Sequence, residues 1–347
     1  MILILNCLLE EKSVNAFNKA MENHLGSLPV KYEIIRVKEG DKIEDLNKYT
    51  HLIISGSGAS PIDDNPWNSI LEEIIMYFVN NKKPILGICY GHQFLVRILA
   101  GVEYIRKAEV GEIGFAKIDI DDNELFEGIK EPIFSVSHYE EVFNLREDFK
   151  VIARNHNCSV HAFQYKDLPI WGTQFHPEYG IEDMKNSIIE CREKNPDFEK
   201  YYIYDLKDEN KIHQNKLIFK NFVNSNRIYL RPHHLMCIQS YVGKGYSEEF
   251  VKNMDIVVGS LRENGDQIVQ LIEENDHICS HCPHNIDGLK CESDEKVITM
   301  DKKVLAHLDI TPGKYTYNYL LNRLKEKFTD KAFKDICGDC EWYELCH

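Results

Sequence analysis

The sequence predicts an α/β protein with a doubly wound, mostly parallel sheet and a second, smaller, mainly helical cysteine-rich domain that binds metal. Short apolar runs rich in β-branched residues alternate with helical patterns over the first two thirds of the 347 residues, which is typical of a parallel sheet covered by helices. After the polar stretch 224–226 the alternation stops, and cysteines and histidines accumulate. We therefore expect two domains, residues 1–226 and 227–347.

Several runs in the first domain have the length and composition of strands. They cover residues 2–5, 32–37, 51–54, 84–88, 116–120, 133–136, 160–164 and 170–175. Helical patterns fit between several of these strands. Residues 70–79 place Leu71, Ile74 and Phe78 on one face, and a second amphipathic segment begins after Cys89 and ends before Gly101. In the second domain, residues 247–262 predict a helix of the same kind.

Composition narrows the classes of function. The formal net charge is -15, from 56 acidic and 41 basic residues, so we expect a small-molecule substrate and neither nucleic acid nor a membrane as a partner. The apolar opening run is short, is interrupted by Asn6 and Cys7 and lacks a basic leader, which predicts a first strand and a cytoplasmic protein. Without a secretion signal, clustering among the 11 cysteines favours metal binding over disulfides.

The segment KPILGICYGHQFL predicts a nucleophile on a tight turn between a strand and a helix. Gly87 and Gly91 flank Cys89 and permit the turn, which exposes the cysteine at the carboxyl end of the sheet above a helix N-terminus. This position favours the thiolate over the thiol. The backbone N–H of Tyr90 is then expected to point to a developing acyl oxyanion.

A cysteine nucleophile needs a base, and the segment TQFHPEYG offers one. His176 stands at a strand end, and Glu178 can orient its ring. The glycine-rich turn SGSGAS, residues 55–60, follows the third strand and ends at the same edge of a doubly wound sheet, where it can supply a second oxyanion donor. His92 follows Cys89 too closely to reach over the sulfur, and we expect it to be scaffolding.

Residues 1–223 resemble a class I glutamine amidotransferase domain of the GMP-synthetase-like branch, through GICYGHQ, QFHPE, SGSGAS and FSVSHYEEV. The resemblance implies that a Cys89, His176 and Glu178 triad releases ammonia from glutamine for a synthase partner or domain. One departure is a Gly-Ser-Gly turn where the branch often has Gly-Gly-Pro. The implied oxyanion donors are Tyr90 with Ser57 or Gly58, and the implied substrate-binding residues are Gly56, Gln93, Ser137 and His138.

The cysteines after residue 230 predict a metal centre. They form two triplets and one single position: Cys279, Cys282 and Cys291; Cys337, Cys340 and Cys346; and Cys237. A CxxC pair can place two thiolates on one metal, and a third cysteine nearby raises the number of ligands to three. Free cysteines are costly to keep in exposed loops unless they are ligated. We expect a subset of the seven to bind metal, although Cys237 fits a helix core equally well.

Residues 228–346 resemble a family of small cysteine-rich domains to which iron–sulfur binding is ascribed, through LRPHHLMC, GKGYS and the two triplets. The resemblance implies an iron–sulfur cluster, most simply a 4Fe-4S cluster. Four cysteines would bind it, or three with one iron left open for substrate. Zinc in a closed tetrahedral site is the alternative. Either His233 or His234 is a further candidate ligand or proton carrier, against a role in helix capping and packing.

One hypothesis and two alternatives follow. We expect a glutaminase of the amidotransferase type, coupled to an iron–sulfur domain that acts on an unknown acceptor small molecule. The first alternative is a γ-glutamyl hydrolase of a small γ-glutamylated metabolite, and the second is a glutaminase with a structural zinc docking module. The sequence contains neither GxxxxGKS nor GxxxxGKT, so we do not expect a complete ATP-dependent synthetase in this chain.

Overall fold

The computed structural model describes residues 1–39, 43, 45–204, 213–286 and 290–346. It divides into two compact units, Met1–Asn226 and Arg227–His347, called the N-terminal and C-terminal units below. Of the helices in these described ranges, none has both the length and the apolar content needed to cross a membrane.

The N-terminal unit is built on a mixed sheet with helices on both faces. Its described strands are β1 (Ile2–Asn6), β2 (Tyr32–Arg36), β3 (His51–Ile54), β4 (Ile85–Ile88), β5 (Ile105–Lys117), β6 (Asp119–Ile120), β7 (Ile133–Val142), β8 (Phe149–Arg154), β9 (Ala162–Tyr165), β10 (Ile170–Thr173) and β11 (Tyr202–Tyr204). Its described helices are α1 (Glu11–Leu25), α2 (Asn68–Asn80), α3 (Tyr90–Leu99), α4 (Ile181–Lys194), α5 (Phe198–Tyr201) and α6 (Lys216–Val223).

The main sheet has the strand order β2-β1-β3-β4-β10-β9-β8-β6. Neighbouring strands are parallel from β2 to β10 and antiparallel from β10 to β6. A second sheet has the order β11-β5-β7. Because β1, β3, β4 and β10 are parallel, their carboxyl ends lie at one edge, where ligands bind in open α/β sheets.

The core lies on both faces of the main sheet, since alternate residues of a strand point to opposite sides. Ile2 and Ile4 pack in one cluster with apolar residues of α1 and α6. Leu3 and Leu5 pack in the other with residues of α2 and α3. The predicted α/β fold with a mostly parallel sheet is therefore confirmed for this unit.

Some predicted boundaries were wrong, and each error has a physical reason. The strand expected over residues 116–120 is the end of the long β5, followed by the separate β6, and the strand expected over 133–136 continues to Val142. The extra length of β5 carries polar residues that an apolar run does not reveal. β8 was not predicted, because its half-buried sequence FKVIAR mixes polar and apolar residues.

The C-terminal unit combines helices with two small sheets. Its described elements are β12 (Ile228–Leu230), α7 (His234–Gln239), α8 (Glu248–Glu263), β13 (Ile268–Leu271), β14 (Asn285–Ile286), β15 (Lys290–Cys291), α9 (Asp294–Leu308), β16 (Gly313–Thr316), α10 (Tyr317–Lys327), α11 (Asp330–Cys337) and α12 (Tyr343–Cys346). The sheet β12-β13-β16 was not predicted from the sequence. α8 agrees with the helix expected over residues 247–262, and the Ser247 side chain caps it by accepting from the Phe250 N–H.

Candidate functional site

Cys89 lies on a sharp turn between β4 and α3. Its backbone has φ 49° and ψ -100°, a conformation that costs a non-glycine residue energy and needs support from its surroundings. Part of that support is the hydrogen bond from the Cys89 N–H to the Thr173 carbonyl, at 2.7 Å. The side chain is 8% exposed, so the sulfur lies at the sheet edge with limited access to solvent.

The glycines on either side are required by close packing. A Cβ on Gly91 would lie 2.5 Å from the Ile54 carbonyl oxygen, and a Cβ on Gly87 would lie 2.5 Å from the Gly91 carbonyl oxygen. No side chain fits at these distances, so both positions allow β3, β4 and α3 to approach closely. As the first residue of α3, Tyr90 has a backbone N–H without an acceptor within the helix.

His176 follows β10 and reaches both predicted partners. Its Nδ1 lies 2.8 Å from Glu178 Oε1, and its ring lies beside Cys89, whose charge acts on it. The ring also stacks on Tyr179, with centroids 4.9 Å apart. The structure thus brings Cys89, His176 and Glu178 together in one series of side chains.

Charge in this series favours a protonated imidazole. Burial alone would lower the pKa of His176, but Glu178 and Cys89 outweigh burial and raise the pKa well above the ordinary value. An imidazolium beside a cysteine is the arrangement that keeps a thiol reactive at neutral pH. The site is therefore electrostatically prepared for nucleophilic attack by sulfur.

The predicted oxyanion loop lies against the same residues. A Cβ on Gly56 would be 3.1 Å from His176 Cε1 and 3.7 Å from Cys89 Cβ, so the loop backbone passes directly beside the thiol and the ring. The Ser57 hydroxyl donates to the Cys7 carbonyl at 2.7 Å and shapes the loop. Gly58 has open space around it, and a backbone N–H from this loop remains the predicted second oxyanion donor.

A buried amide contacts the sulfur as well, and a second amide supports it. Gln174 Nε2 donates to Cys89 Sγ at 3.6 Å, and Gln93 Nε2 donates to Gln174 Oε1 at 2.9 Å. The Ser137 carbonyl oxygen lies 3.7 Å from the same sulfur. Sequence reasoning missed Gln174, although the residue is two positions before His176 in an extended segment, where alternate side chains share a side.

His138 occupies a different environment from the one implied for it. Its ring nitrogens lie 3.0 Å from Glu112 Oε2 and 3.1 Å from the Glu140 carbonyl oxygen, so protein atoms engage both. Glu112 also contacts His161 Nε2 at 2.9 Å. Burial alone would raise the pKa of Glu112, but the bonds from the two histidines hold it well below its usual range. The structure therefore shows no free ring nitrogen of His138 for a substrate.

The cysteines of the C-terminal unit meet in one place. A cavity of about 610 Å³ is lined by both triplets and the single cysteine: Cys237, Cys279, Cys282, Cys291, Cys337, Cys340 and Cys346. Segments that are more than 40 residues apart in the chain contribute to it. This convergence is what a metal centre requires, since its ligands must face a common space.

The thiols in this cavity are costly to ionise in the absence of a cation. Burial raises the pKa of Cys237 well above its ordinary value, and the nearby Cys337, Cys340 and Cys346 raise it further. Burial likewise raises the pKa of Cys337 to about 11. A bound metal would remove this cost, because it deprotonates the thiols that coordinate it. The donor set therefore fits a cationic group.

Three cysteines do not form a compact ligand group anywhere in the described residues. In the part of the chain that the structure describes, only two groups place three or more potential ligand atoms within 4.8 Å of one another: His138, Cys158 and His161; and His234, Asp276 and Cys279. Neither group contains three cysteines.

Both adjacent histidines line this cavity, whereas the sequence indicated a role for only one. His233 Nδ1 lies 2.7 Å from Asp301 Oδ1, and His234 Nδ1 lies 2.6 Å from Asp276 Oδ2. Burial raises the pKa of each aspartate, but bonds from the histidines and nearby N–H groups outweigh it and hold each pKa low. Each ring is therefore oriented by an ionised, buried carboxylate.

Comparison with known proteins identifies both regions. The family model described as Glutamine amidotransferase class-I matches residues 13–193, just over half of the chain. A second family model, described as Protein of unknown function (DUF1284), matches residues 245–346. The first match includes Cys89, His176 and Glu178, and the second includes both cysteine triplets.

Curated relatives match the N-terminal region. A glutamine-hydrolyzing GMP synthase subunit from Sulfurisphaera tokodaii is 33% identical over 181 residues, which are 49% of this chain and 93% of the relative. The corresponding subunit from Pyrococcus furiosus is 35% identical over 129 residues, or 35% of this chain and 68% of the relative.

Solved structures show the same fold. A glutamine amido transferase from Methylobacillus flagellatus has a TM-score of 0.54 at 17% identity, with 65% of this chain and 95% of that chain covered. A glutamine amidotransferase from Thermotoga maritima has a TM-score of 0.50 at 19% identity, with 64% and 98% covered. With the family match and the site geometry, these findings show that the chain belongs to the class I glutamine amidotransferase family.

Proposed function

We propose that the N-terminal unit hydrolyses glutamine with Cys89 as the nucleophile, His176 as the proton carrier and Glu178 as the group that orients His176. The observation that supports this most directly is that these three side chains meet at the turn between β4 and α3, where Glu178 is hydrogen-bonded to His176 and the His176 ring lies beside Cys89. The curated relatives carry glutamine hydrolysis in their names, and that activity agrees with the chemistry of the site.

The proposed reaction has two stages. Cys89 Sγ attacks the side-chain amide carbon of glutamine, and the oxyanion accepts hydrogen bonds from the Tyr90 N–H and from an N–H of the loop at Ser57 and Gly58. The C–N bond then breaks, His176 donates a proton to the leaving nitrogen, and ammonia departs. Water, deprotonated by His176, next hydrolyses the thioester and releases glutamate.

Ammonia and glutamate release from glutamine tests this proposal. The full chain should produce both in equal amounts, and Cys89→Ser should reduce the rate to the background level. Cys191→Ser is the matched control, because Cys191 is a partly buried thiol on α4 that is not part of the triad. A Cys89→Ser chain that keeps the wild-type rate would refute the assignment.

The same assay separates glutaminase from γ-glutamyl hydrolase activity. If γ-glutamyl amines are cleaved much faster than glutamine, with the same dependence on Cys89, the enzyme is a γ-glutamyl hydrolase and ammonia is not its product. If neither class is cleaved, the proposed activity of the N-terminal unit fails.

We further propose that the C-terminal unit binds iron–sulfur and acts on an acceptor molecule or with a synthase partner that uses the ammonia. The supporting observation is the convergence of seven cysteines on one cavity. Such a cluster supplies redox or Lewis-acid chemistry when it is bound. The cysteines would hold it, and His233 and His234 line the same cavity.

Anaerobic purification of the full chain tests the identity of the metal. Brown protein that contains iron and inorganic sulfide is the expected result. Colourless protein with stoichiometric zinc would replace this proposal with a structural zinc docking module.

A further inference from the structure

We propose that the C-terminal unit holds two separate four-ligand metal centres. The first set is Cys237, Cys337, Cys340 and Cys346, and the second set is Cys279, Cys282, Cys291 and His234. This inference rests on the proposed metal binding of the C-terminal unit, but it does not depend on which metal is bound. Each of the seven cysteines of the unit belongs to one of these two ligand sets, and His234 is the eighth ligand.

The first set is assembled by the end of α7 and the C-terminal segment. Cys237 lies on α7, and three residues later the Ser240 hydroxyl donates to the Cys346 carbonyl at 3.2 Å. The turn after α11 is closed by the Cys340 N–H, which donates to the Cys337 carbonyl at 2.8 Å. Cys237, Cys337, Cys340 and Cys346 all line the cavity, and these contacts place the end of the chain beside α7.

The second set is assembled by one loop. The Cys282 N–H donates to the Cys279 carbonyl at 3.0 Å, which forms a compact turn around the CxxC pair. The hairpin of β14 and β15 then pairs Asn285 with Cys291. This pairing brings Cys291 back toward the CxxC turn, and all three cysteines line the cavity. Three cysteines from a single loop therefore face one part of the cavity.

A fourth ligand for the second set must come from outside the loop, and His234 is placed to supply it. A ring nitrogen of His234, a carboxylate oxygen of Asp276 and Cys279 Sγ all lie within 4.8 Å of one another. In the described residues, His234 Nε2 has no hydrogen-bond partner, and the side chain lines the cavity. A metal-bound histidine characteristically donates its other ring N–H to a carboxylate, as His234 Nδ1 does to Asp276.

Asp276 itself is a positioning residue and not a ligand. Its Oδ2 accepts from the Arg231 N–H at 2.6 Å and from His234, and its Oδ1 accepts from the Ile278 and Cys279 N–H groups at 2.9 and 2.8 Å. These four bonds occupy both oxygens and lock the start of the cysteine loop to the histidine ring. The carboxylate thus holds the His234 ring and the start of the cysteine loop in fixed positions relative to each other.

His233 differs from His234 in a way that makes it a control. Asp301 accepts from both the backbone N–H and Nδ1 of His233, at 3.0 and 2.7 Å, and also from the Arg231 side chain at 2.8 Å. Its ring belongs to no three-residue ligand group within the described ranges. We therefore expect its substitution by glutamine to leave both centres occupied.

Metal content per chain tests the partition. The anaerobically purified full chain should contain metal for two centres, and Cys340→Ser or Cys282→Ser should each lose about half of it. The Cys340→Ser and Cys282→Ser double variant should lose nearly all of it, while His233→Gln should retain the wild-type amount. A wild-type chain with metal for one centre, or a single variant that loses all metal while remaining folded by circular dichroism, would overturn the partition.

Spectroscopy tests whether His234 binds metal. It uses His234→Cys, which keeps a potential ligand at this position, so the test does not depend on whether a chain that lacks the ligand still folds. With ¹⁵N-labelled histidine, the reduced wild-type iron–sulfur chain should show a nitrogen hyperfine coupling that is absent from His234→Cys and present in His233→Gln. A coupling that persists in a metal-replete His234→Cys chain would remove His234 from the ligand set.

If both centres contain zinc, the iron–sulfur proposal fails but the two-centre partition stands. X-ray absorption fine structure of the zinc should then show one nitrogen ligand replaced by one sulfur ligand in His234→Cys. A chain that binds no metal overturns both proposals.

Discussion

Individual side chains at the thiol site divide into those that react and those that prepare the reaction. In the proposed reaction Cys89 attacks the substrate and His176 transfers protons, whereas Glu178 and Gln174 act on these two residues through hydrogen bonds. Glu178 contributes a negative charge to His176, and Gln174 contributes a donor to Cys89. Because Glu178 acts on the imidazole and Gln174 acts on the sulfur, the two contributions can be separated experimentally.

Replacing Glu178 with glutamine should change both the rate and the pH dependence of glutamine hydrolysis. Glu178 raises the pKa of His176, so the loss of its charge should lower that pKa. The alkaline limb of the kcat/KM profile should move to lower pH, because His176 must be protonated to release ammonia. We expect kcat to fall by about 10²-fold or more. An unshifted alkaline limb would show that another group titrates there.

Replacing Gln174 with leucine should make Cys89 less reactive. The amide donates to Cys89 Sγ at 3.6 Å, and a hydrogen bond to a charged group is worth about 1.5–3 kcal/mol. The rate of Cys89 alkylation at neutral pH should therefore fall roughly 10-fold or more. Gln93→Leu is the matched control, since Gln93 reaches the sulfur only through Gln174 and should produce a smaller decrease.

At the scale of helices, strands and turns, some features could be predicted from the sequence and others could not. The turn at Cys89 was predictable because the glycines that permit it are within two residues of it. Gln174 was recoverable by strand alternation but was not singled out. The proposed partition of the cysteines was not predictable, because it depends on the contact of Ser240, just after α7, with Cys346 at the end of the chain. Local patterns specify turns, and tertiary packing specifies ligand sets.

The close approach of α3 to β3 predicts a large cost for adding one methyl group. Gly91→Ala places Cβ within 2.5 Å of the Ile54 carbonyl oxygen, so α3 must shift, and we expect a loss of about 1–3 kcal/mol in the free energy of unfolding. Gly259→Ala is the contrasting change, because nothing lies within 4 Å of its Cβ in the interior of α8. It should be stabilising by up to about 1 kcal/mol. Chemical denaturation measures both.

The whole molecule contains two units with distinct cores. The apolar clusters of residues 1–226 and the cluster of residues 227–347 share no members. A domain with its own core can unfold as its own cooperative unit. Ligands that bind one folded unit should then stabilise that unit alone.

Calorimetry of the full chain should accordingly resolve two transitions. Removal of metal by a chelator under reducing, anaerobic conditions should lower the midpoint of the transition of the C-terminal unit. Gly259→Ala, which lies in that unit, should raise the same midpoint. The transition that Gly91→Ala lowers should be unaffected by the chelator. A single transition that moves with every change would show instead that the two units unfold together.

The strained backbone at Cys89 implies that stability and catalytic activity make opposite demands on this position. A residue other than glycine at φ 49° and ψ -100° costs about 1–3 kcal/mol, and glycine would remove that strain at the expense of the sulfur. Cys89→Gly should therefore give an inactive chain that is more resistant to denaturation than the wild type. If stability alone were selected, glycine would be expected at this position. The presence of cysteine therefore indicates that reactivity has been favoured over stability here.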